Sequence, residues 1–246
     1  MKKSLPILAT MFLILAVSCN QENAKKQPVP EQFRFEEYTI AQLQEGYANG
    51  DFTVTQVVQA YLDRIKAIDD SGPTLNAVIE TNPDALAIAA QLDQELKDGK
   101  NRGPMHGVPV LLKDNIDTHD QMATTAGSRA LAGSHPLQDS YVAMKLREAG
   151  AVIIGKTNLS EWANFRGNLS SSGWSGVGGQ TKNPYVLDRN PCGSSSGSGV
   201  SVSANLTMIA IGTETNGSIV CPSTANGIVG IKLILGLFPR PDIAPS

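Results

Sequence analysis

The chain has 246 residues, 41% of them apolar and 17% charged, with a formal net charge of −3. That composition describes an ordinary globular protein of one or two domains and excludes a disordered or fibrous chain. Lys and Arg (20) are outnumbered by Asp and Glu (23), and no basic run is interleaved with aromatics, so nucleic acid is not expected as a partner.

Residues 1–19 read as a lipoprotein-type export signal. Lys2 and Lys3 precede an apolar run from Leu5 to Val17 that is too short to span a bilayer. The run ends in LAVSC, a lipobox-like pattern with Ala16 where an aliphatic residue is more usual. Cys19 is therefore expected to be lipidated, anchoring an exported protein in the periplasm or outer membrane of a bacterial envelope. Residues 20–35 are polar, contain Pro28 and Pro30, and read as a tether.

The folded part is expected over 36–246. Ala41, Leu43 and Tyr47 suggest a short helix stopped by Gly50. Thr53 with Gln56 forms a capping-box pattern ahead of Val54, Val57, Val58, Tyr61, Leu62 and Ile65 at helical spacing. Residues 75–79 suit a strand, and Asn82–Pro83 is expected to open a helix that carries Leu86, Ala89, Leu92 and Leu96. Residues 108–113, VPVLLK, have the continuous apolar character of a strand buried on both faces, with Lys113 at its carboxyl end. Ser140 opens a further helix ended by Gly150, and 151–154 follow as a strand. This alternation predicts an α/β fold. Residues 169–180 turn to Gly and Ser around Trp174 and read as the wall of a cleft. Strands are also expected near 208–212 and 227–237.

Residues 190–222, NPCGSSSGSGVSVSANLTMIAIGTETNGSIVCP, hold two Ser/Gly clusters joined by an apolar segment. A flexible linker is the ordinary reading of such composition. Here Val200, Val202, Ala204, Leu206 and residues 208–211 tie the clusters to buried elements, so the small residues indicate tight turns and exposed backbone N–H groups. Such a construction suits an oxyanion hole beside a nucleophile.

These motifs resemble the signature of the amidase signature family, serine hydrolases with a Ser–cis-Ser–Lys triad. The match includes the GSS-type turn followed by GTETNGSIVCP, the strand motif GVPVLLKDN, and GKTNLSEWANF between them. Ser194 and Ser218 lie 24 positions apart, the spacing of the family's two serines. The resemblance implies Ser218 as nucleophile, Ser194 as cis-serine relay and Lys113 as base. It implies a mixed β-sheet covered by helices on both faces, of which this chain carries the N-terminal half, truncated before the C-terminal half. The GSSSGSG and GTETNGSIVCP variants look closest to the peptide-amidase-like branch.

The expected chemistry is hydrolysis of a linear amide or peptide amide through an acyl-enzyme. A free lysine titrates near roughly 10.4 and would be charged, but desolvation at the end of a buried strand lowers that value. Backbone N–H groups of Thr215, Asn216, Gly217 and Ser218 would form the oxyanion hole. Two other readings stand beside this one: an impaired fragment or binding remnant of an amidase, and an amidotransferase A-type subunit. The three cysteines, Cys19, Cys192 and Cys221, form no CxxC or Cys/His cluster, so neither a metal nor another cofactor is expected. Cys192 and Cys221 read as small buried thiols, with a disulfide left open for an exported protein. His106, His119 and His135 lie in loops away from the serines. After GIVGIK, Leu233 and Ile234 replace the family's Pro-Thr.

Overall fold

In the computed structural model, which describes residues 32–165 and 167–233, two reciprocally capped helices open the folded chain. Helix α1 (Ile40–Asn49) begins where the Thr39 hydroxyl accepts the Gln42 N–H at 3.2 Å and the Gln42 side chain accepts the Thr39 N–H at 2.9 Å. Gly50 ends it in the left-handed region, φ 74°. Helix α2 (Val54–Arg64) starts at the expected Thr53–Gln56 box and buries Val54, Val57, Val58 and Tyr61 along one stripe. A wider, π-type turn over Ile65–Asp70 continues it.

Strand β1 spans Val78–Thr81, three residues later than expected at its start, because Thr74 and Asn76 have positive φ and break the extended chain before it. The buried Asp69 carboxylate accepts the N–H groups of Ala77 and Val78 at 2.7 and 2.9 Å and so fixes the point of entry. Helix α3 (Ala85–Lys97) also starts later, after Asp84. Asn82 does not cap it; the Asn82 side chain pins the turn, accepting the Asp84 N–H and donating to Ile153 O. Strand β2 (Pro109–Lys113), helix α4 (Tyr141–Glu148, capped by Ser140) and strand β3 (Val152–Thr157) match their predicted positions within a few residues. A two-residue hairpin, β4 (Trp174–Ser175) and β5 (Gly179–Gln180), lies in the Gly/Ser stretch. Helix α5 (Ser196–Ser203), strand β6 (Ile209–Ile211) and helix α6 (Val220–Ala225) complete the described elements.

The main sheet has the order β1-β3-β2-β6, with β1 antiparallel to β3 and the remaining pairs parallel. Every residue of β2 and β3 is buried, and since successive side chains point to opposite faces, both faces of the sheet are covered. This is the mixed α/β fold expected. Helices α2 to α5 all pack on β3, and α5 also packs on β2 and β6. In the register Leu112 faces Ile211 and Lys113 faces Thr157, so the chain after β6 runs beside Lys113 at the carboxyl edge of the parallel strands.

Two sequence expectations change. Phe33 to Phe35, at the end of the expected tether, join the folded unit that begins at Phe33. Phe35 is buried edge-on against Phe33, Tyr38 and Phe52, and the Arg34 guanidinium lies 5.2 Å from the Phe52 ring centre. No strand occurs over 227–233: Gly227 has φ 67° and the Ile228 N–H closes onto Ser223 O, while 234–237 lie outside the described residues. The signal segment, Cys19 included, also lies outside them.

Candidate active site

Strand β2 delivers Lys113 into the interior, fully buried. Its Nζ donates to Ser194 Oγ at 2.7 Å, to Thr213 Oγ1 at 2.8 Å and to Thr213 O at 3.4 Å. Burial pushes the ammonium's pKa down from its ordinary value to about 7, while the Glu214 carboxylate pulls it back up. Asn115, two residues on, donates from Nδ2 to Thr213 Oγ1 at 3.1 Å, so the KDN turn holds both the lysine and its hydroxyl partner.

The first Ser/Gly cluster is the turn into α5. The Gly193–Ser194 peptide is cis, and Ser194 is fully buried. Gly193 has no room for a side chain, since a Cβ there would stand 2.4 Å from Ser160 Oγ. Ser160 N–H donates to Ser194 O at 3.1 Å. The second cluster is brought alongside by Ser195. Its N–H donates to Ser218 O at 3.1 Å, and its Oγ both donates to Thr213 O (3.1 Å) and accepts the Thr213 N–H (3.2 Å). Lys113 and Ser194 are thus in direct contact, and buried Ser218 is tied to the residue after Ser194.

Glu214 organises the turn that carries Ser218. Its carboxylate accepts the N–H groups of Ile219 at 2.6 Å, Val220 at 2.9 Å and Gly217, and Lys232 Nζ reaches it at 3.0 Å. Burial works to raise its pKa, but these donors outweigh burial and hold the group at about 2. Of the four backbone donors expected at Thr215, Asn216, Gly217 and Ser218, the Gly217 N–H is therefore turned toward Glu214. Cys192 and Cys221 form a disulfide with Cα atoms 5.8 Å apart, the pairing left open beside the thiol reading. The Ser195–Ser218 contact sets their two segments side by side, which a separation of 29 residues concealed. Neither sulfur is then a free nucleophile.

The histidines bond backbone carbonyls elsewhere: His106 with Leu92, His119 with Pro136 and His135 with Met122. Among the described residues no group of three or more His, Cys, Asp or Glu could hold a metal ion. The motif between lysine and serines supports the site from behind. Buried Lys156 donates to Ile116 O at 2.9 Å and Thr124 Oγ1 at 2.8 Å. Asp114 accepts from Thr125 and from the Gly127 N–H. Asn158 binds Gly179 O and Thr181 Oγ1, fixing the β4–β5 hairpin against the end of β3. Sequence reasoning missed Thr213, Glu214, Ser195 and Asn115 as site residues. All four carried a signal, since Asn115 stands in KDN, Thr213 and Glu214 in GTET, and Ser195 directly after Ser194.

Residues 56–245 match the Amidase family. An amidase of Schizosaccharomyces pombe is 47% identical over 92% of this chain and 38% of its own length; an amidase of Arabidopsis thaliana is 46% identical over 97% and 46%. The crystal structure of native peptide amidase from Stenotrophomonas maltophilia superimposes with a TM-score of 0.85 and 58% identity, over 87% of this chain and 43% of that one. The chain thus spans less than half the length of these relatives. They correct one expectation, the exported, lipid-anchored protein of a bacterial envelope. That reading rested on Lys2 and Lys3, the short apolar run and LAVSC, whereas relatives matching over nearly the whole chain come from S. pombe and A. thaliana. Among the described residues no helix is long and apolar enough to cross a membrane. Lipidation of Cys19 and the envelope location are withdrawn.

Proposed function

Because this chain belongs to the Amidase family, we propose that it supplies the catalytic residues for hydrolysis of a linear amide or peptide amide, with Ser218 as nucleophile, Ser194 as relay and Lys113 as base. The observation that carries the reading is the 2.7 Å contact of a buried lysine with Ser194, beside a segment that holds Ser218. A neutral lysine has two N–H donors and one lone pair. Thr213 Oγ1 and Thr213 O can take the two hydrogens, leaving the lone pair for the Ser194 hydroxyl. Ser218 Oγ then attacks the amide carbon as its proton passes to Ser194 and the Ser194 proton passes to Lys113. Backbone N–H groups of the Thr215–Ser218 turn, chiefly those of Asn216 and Ser218, stabilise the oxyanion. When the C–N bond breaks, the amine leaves with the proton returned along the same path. Water, deprotonated by the same relay, cleaves the ester of Ser218 and releases the acid. The likeness to a peptide amidase favours peptide amides as substrates.

A fluorophosphonate probe tests the assignment. It should label the protein at Ser218, as read by peptide mapping, and Ser218→Ala should lose the label together with turnover, on the order of 10⁶-fold as in other serine hydrolases. A label that maps to another residue, or that survives Ser218→Ala, would refute it.

A further inference from the structure

The chain contains three Asn-Gly pairs, at 49–50, 216–217 and 226–227. In such a pair the glycine nitrogen can attack the preceding side-chain carboxamide, because no Cβ on the glycine obstructs the approach. The fold treats the three pairs differently. Asn49 is the last residue of α1, and its helical backbone aims the Gly50 N–H back along the helix at Gly46 O and Tyr47 O. Asn226 is fully buried, and its Nδ2 donates to Pro191 O at 2.9 Å and Pro222 O at 2.7 Å. Asn216 is exposed, in the bend between β6 and α6. The Gly217 N–H there meets the Glu214 carboxylate, which is ionised throughout the neutral range and is a base as a backbone carbonyl is not. A Cβ at Gly217 would meet nothing within 4 Å, so a ring joining the two residues has room to form.

We propose that Asn216 is a site of self-modification, at which deamidation to isoaspartate displaces the turn that carries Ser218. Gly217 N bonds to Asn216 Cγ while the Cγ–Nδ2 bond breaks, and the proton given up by the glycine nitrogen leaves with Nδ2 as ammonia. Water then opens the resulting succinimide at either carbonyl, giving aspartate or isoaspartate. In the isoaspartate the main chain runs through the former side chain and gains a methylene before Gly217. The flanks cannot absorb that length. Glu214 holds the N–H groups of Ile219 and Val220 at 2.6 and 2.9 Å, Ser218 O accepts the Ser195 N–H at 3.1 Å, and Gly217 O accepts the Cys221 N–H at 2.8 Å. The displacement therefore falls on Gly217 and Ser218, and only its cost to activity rests on the hydrolase reading.

The whole chain, aged at mildly alkaline pH and then digested, reports the chemistry by mass spectrometry, with isoaspartyl methyltransferase labelling to identify the isoaspartate. Conversion at 216 should be on the order of 10-fold faster or more than at 49 or 226, which must first open locally. In urea the three rates should fall within a few-fold of one another, and Asn216→Gln should show no conversion at that position. Equal native rates, faster conversion at another pair, or a native preference that persists in urea would overturn the site. Amide hydrogen exchange over 217–221 should be faster in the isoaspartate protein than in fresh protein, and unchanged exchange would overturn the displaced turn. Fluorophosphonate labelling at Ser218 separates the proposal from the functional reading. Label that falls in step with isoaspartate supports both. Label undiminished in the isoaspartate protein sinks the proposal alone. Fresh protein that never labels sinks the hydrolase reading, while the site and its loosened turn stand on mass and exchange.

Discussion

Lys113 is governed by two opposing influences: burial, which brings its pKa to about 7, and the Glu214 carboxylate, which raises it. Only the neutral amine can accept a proton, so kcat/KM should rise with pH along an acid limb centred near pH 7. Glu214→Gln removes the charge but leaves an amide oxygen for the N–H groups of Ile219 and Val220, so the limb should move to lower pH. A limb that moved to higher pH would contradict this account of the lysine. Lys113→Arg, which cannot deprotonate, should be inactive across the range. The same shift has a sign for stability. An unfolded lysine titrates near roughly 10.4, so folding expels a proton between about 7 and that value. The cost of burying the ammonium is complete below pH 7 and fades as pH rises toward 10.4, so stability should increase with pH across that window.

At the scale of elements, the two Ser/Gly segments are joined twice, by the Ser195–Ser218 backbone contact and by the Cys192–Cys221 disulfide. A cross-link closing a loop of 29 residues is worth about 3–4 kcal/mol in the chain-entropy picture. Replacing both cysteines by serine should then lower the melting temperature by on the order of 10 °C, and a dithiol reductant should do the same to the wild type. A double variant that melts with the untreated wild type would show that the turn holds without its cross-link. These features also mark what the residues alone reveal. Both N-terminal helices were legible because Thr53–Gln56 and the spacing of Val54, Val57, Val58 and Tyr61 are local signals. Lys113 and Ser194 were legible through their motifs. The start of β1 was not, because nothing in the pattern announces positive φ at Thr74 and Asn76. The Cys192–Cys221 pairing was left open, because it depends on a juxtaposition made by the whole fold. The roles of Thr213 and Gly217 escaped for the same reason: they turn on where a hydroxyl and an N–H point, which residue identity does not determine.

For the whole molecule, the Ser/Gly clusters matter because they let the segment that carries Ser194 enter the packed interior. Three stretches far apart in sequence stack backbone on backbone: Asn158 N–H donates to Ala77 O at 2.8 Å, and Gly197 N–H donates to Asn158 O at 2.9 Å. Gly197 stands in the first turn of α5, three residues after Ser194, and a Cβ there would lie 2.2 Å from Ala77 O and 2.6 Å from the Asn158 backbone. Helix propensity alone would favour alanine at this position by about 1 kcal/mol. Steric crowding opposes it, and because the obstructing atoms are backbone of β3's end and of the approach to β1, neither can rotate away. Overpacking of this kind costs about 1–3 kcal/mol, so the net effect of Gly197→Ala should be destabilising in chemical denaturation. The displaced turn should also carry Ser194 away from Lys113, so turnover should fall together with stability. Gly167→Ala, where nothing lies within 4 Å, is the control and should stay within about 0.5 kcal/mol of wild type. If Gly197→Ala is as stable and active as that control, α5 has room to shift, and the close approach of its backbone is not what sets the position of Ser194.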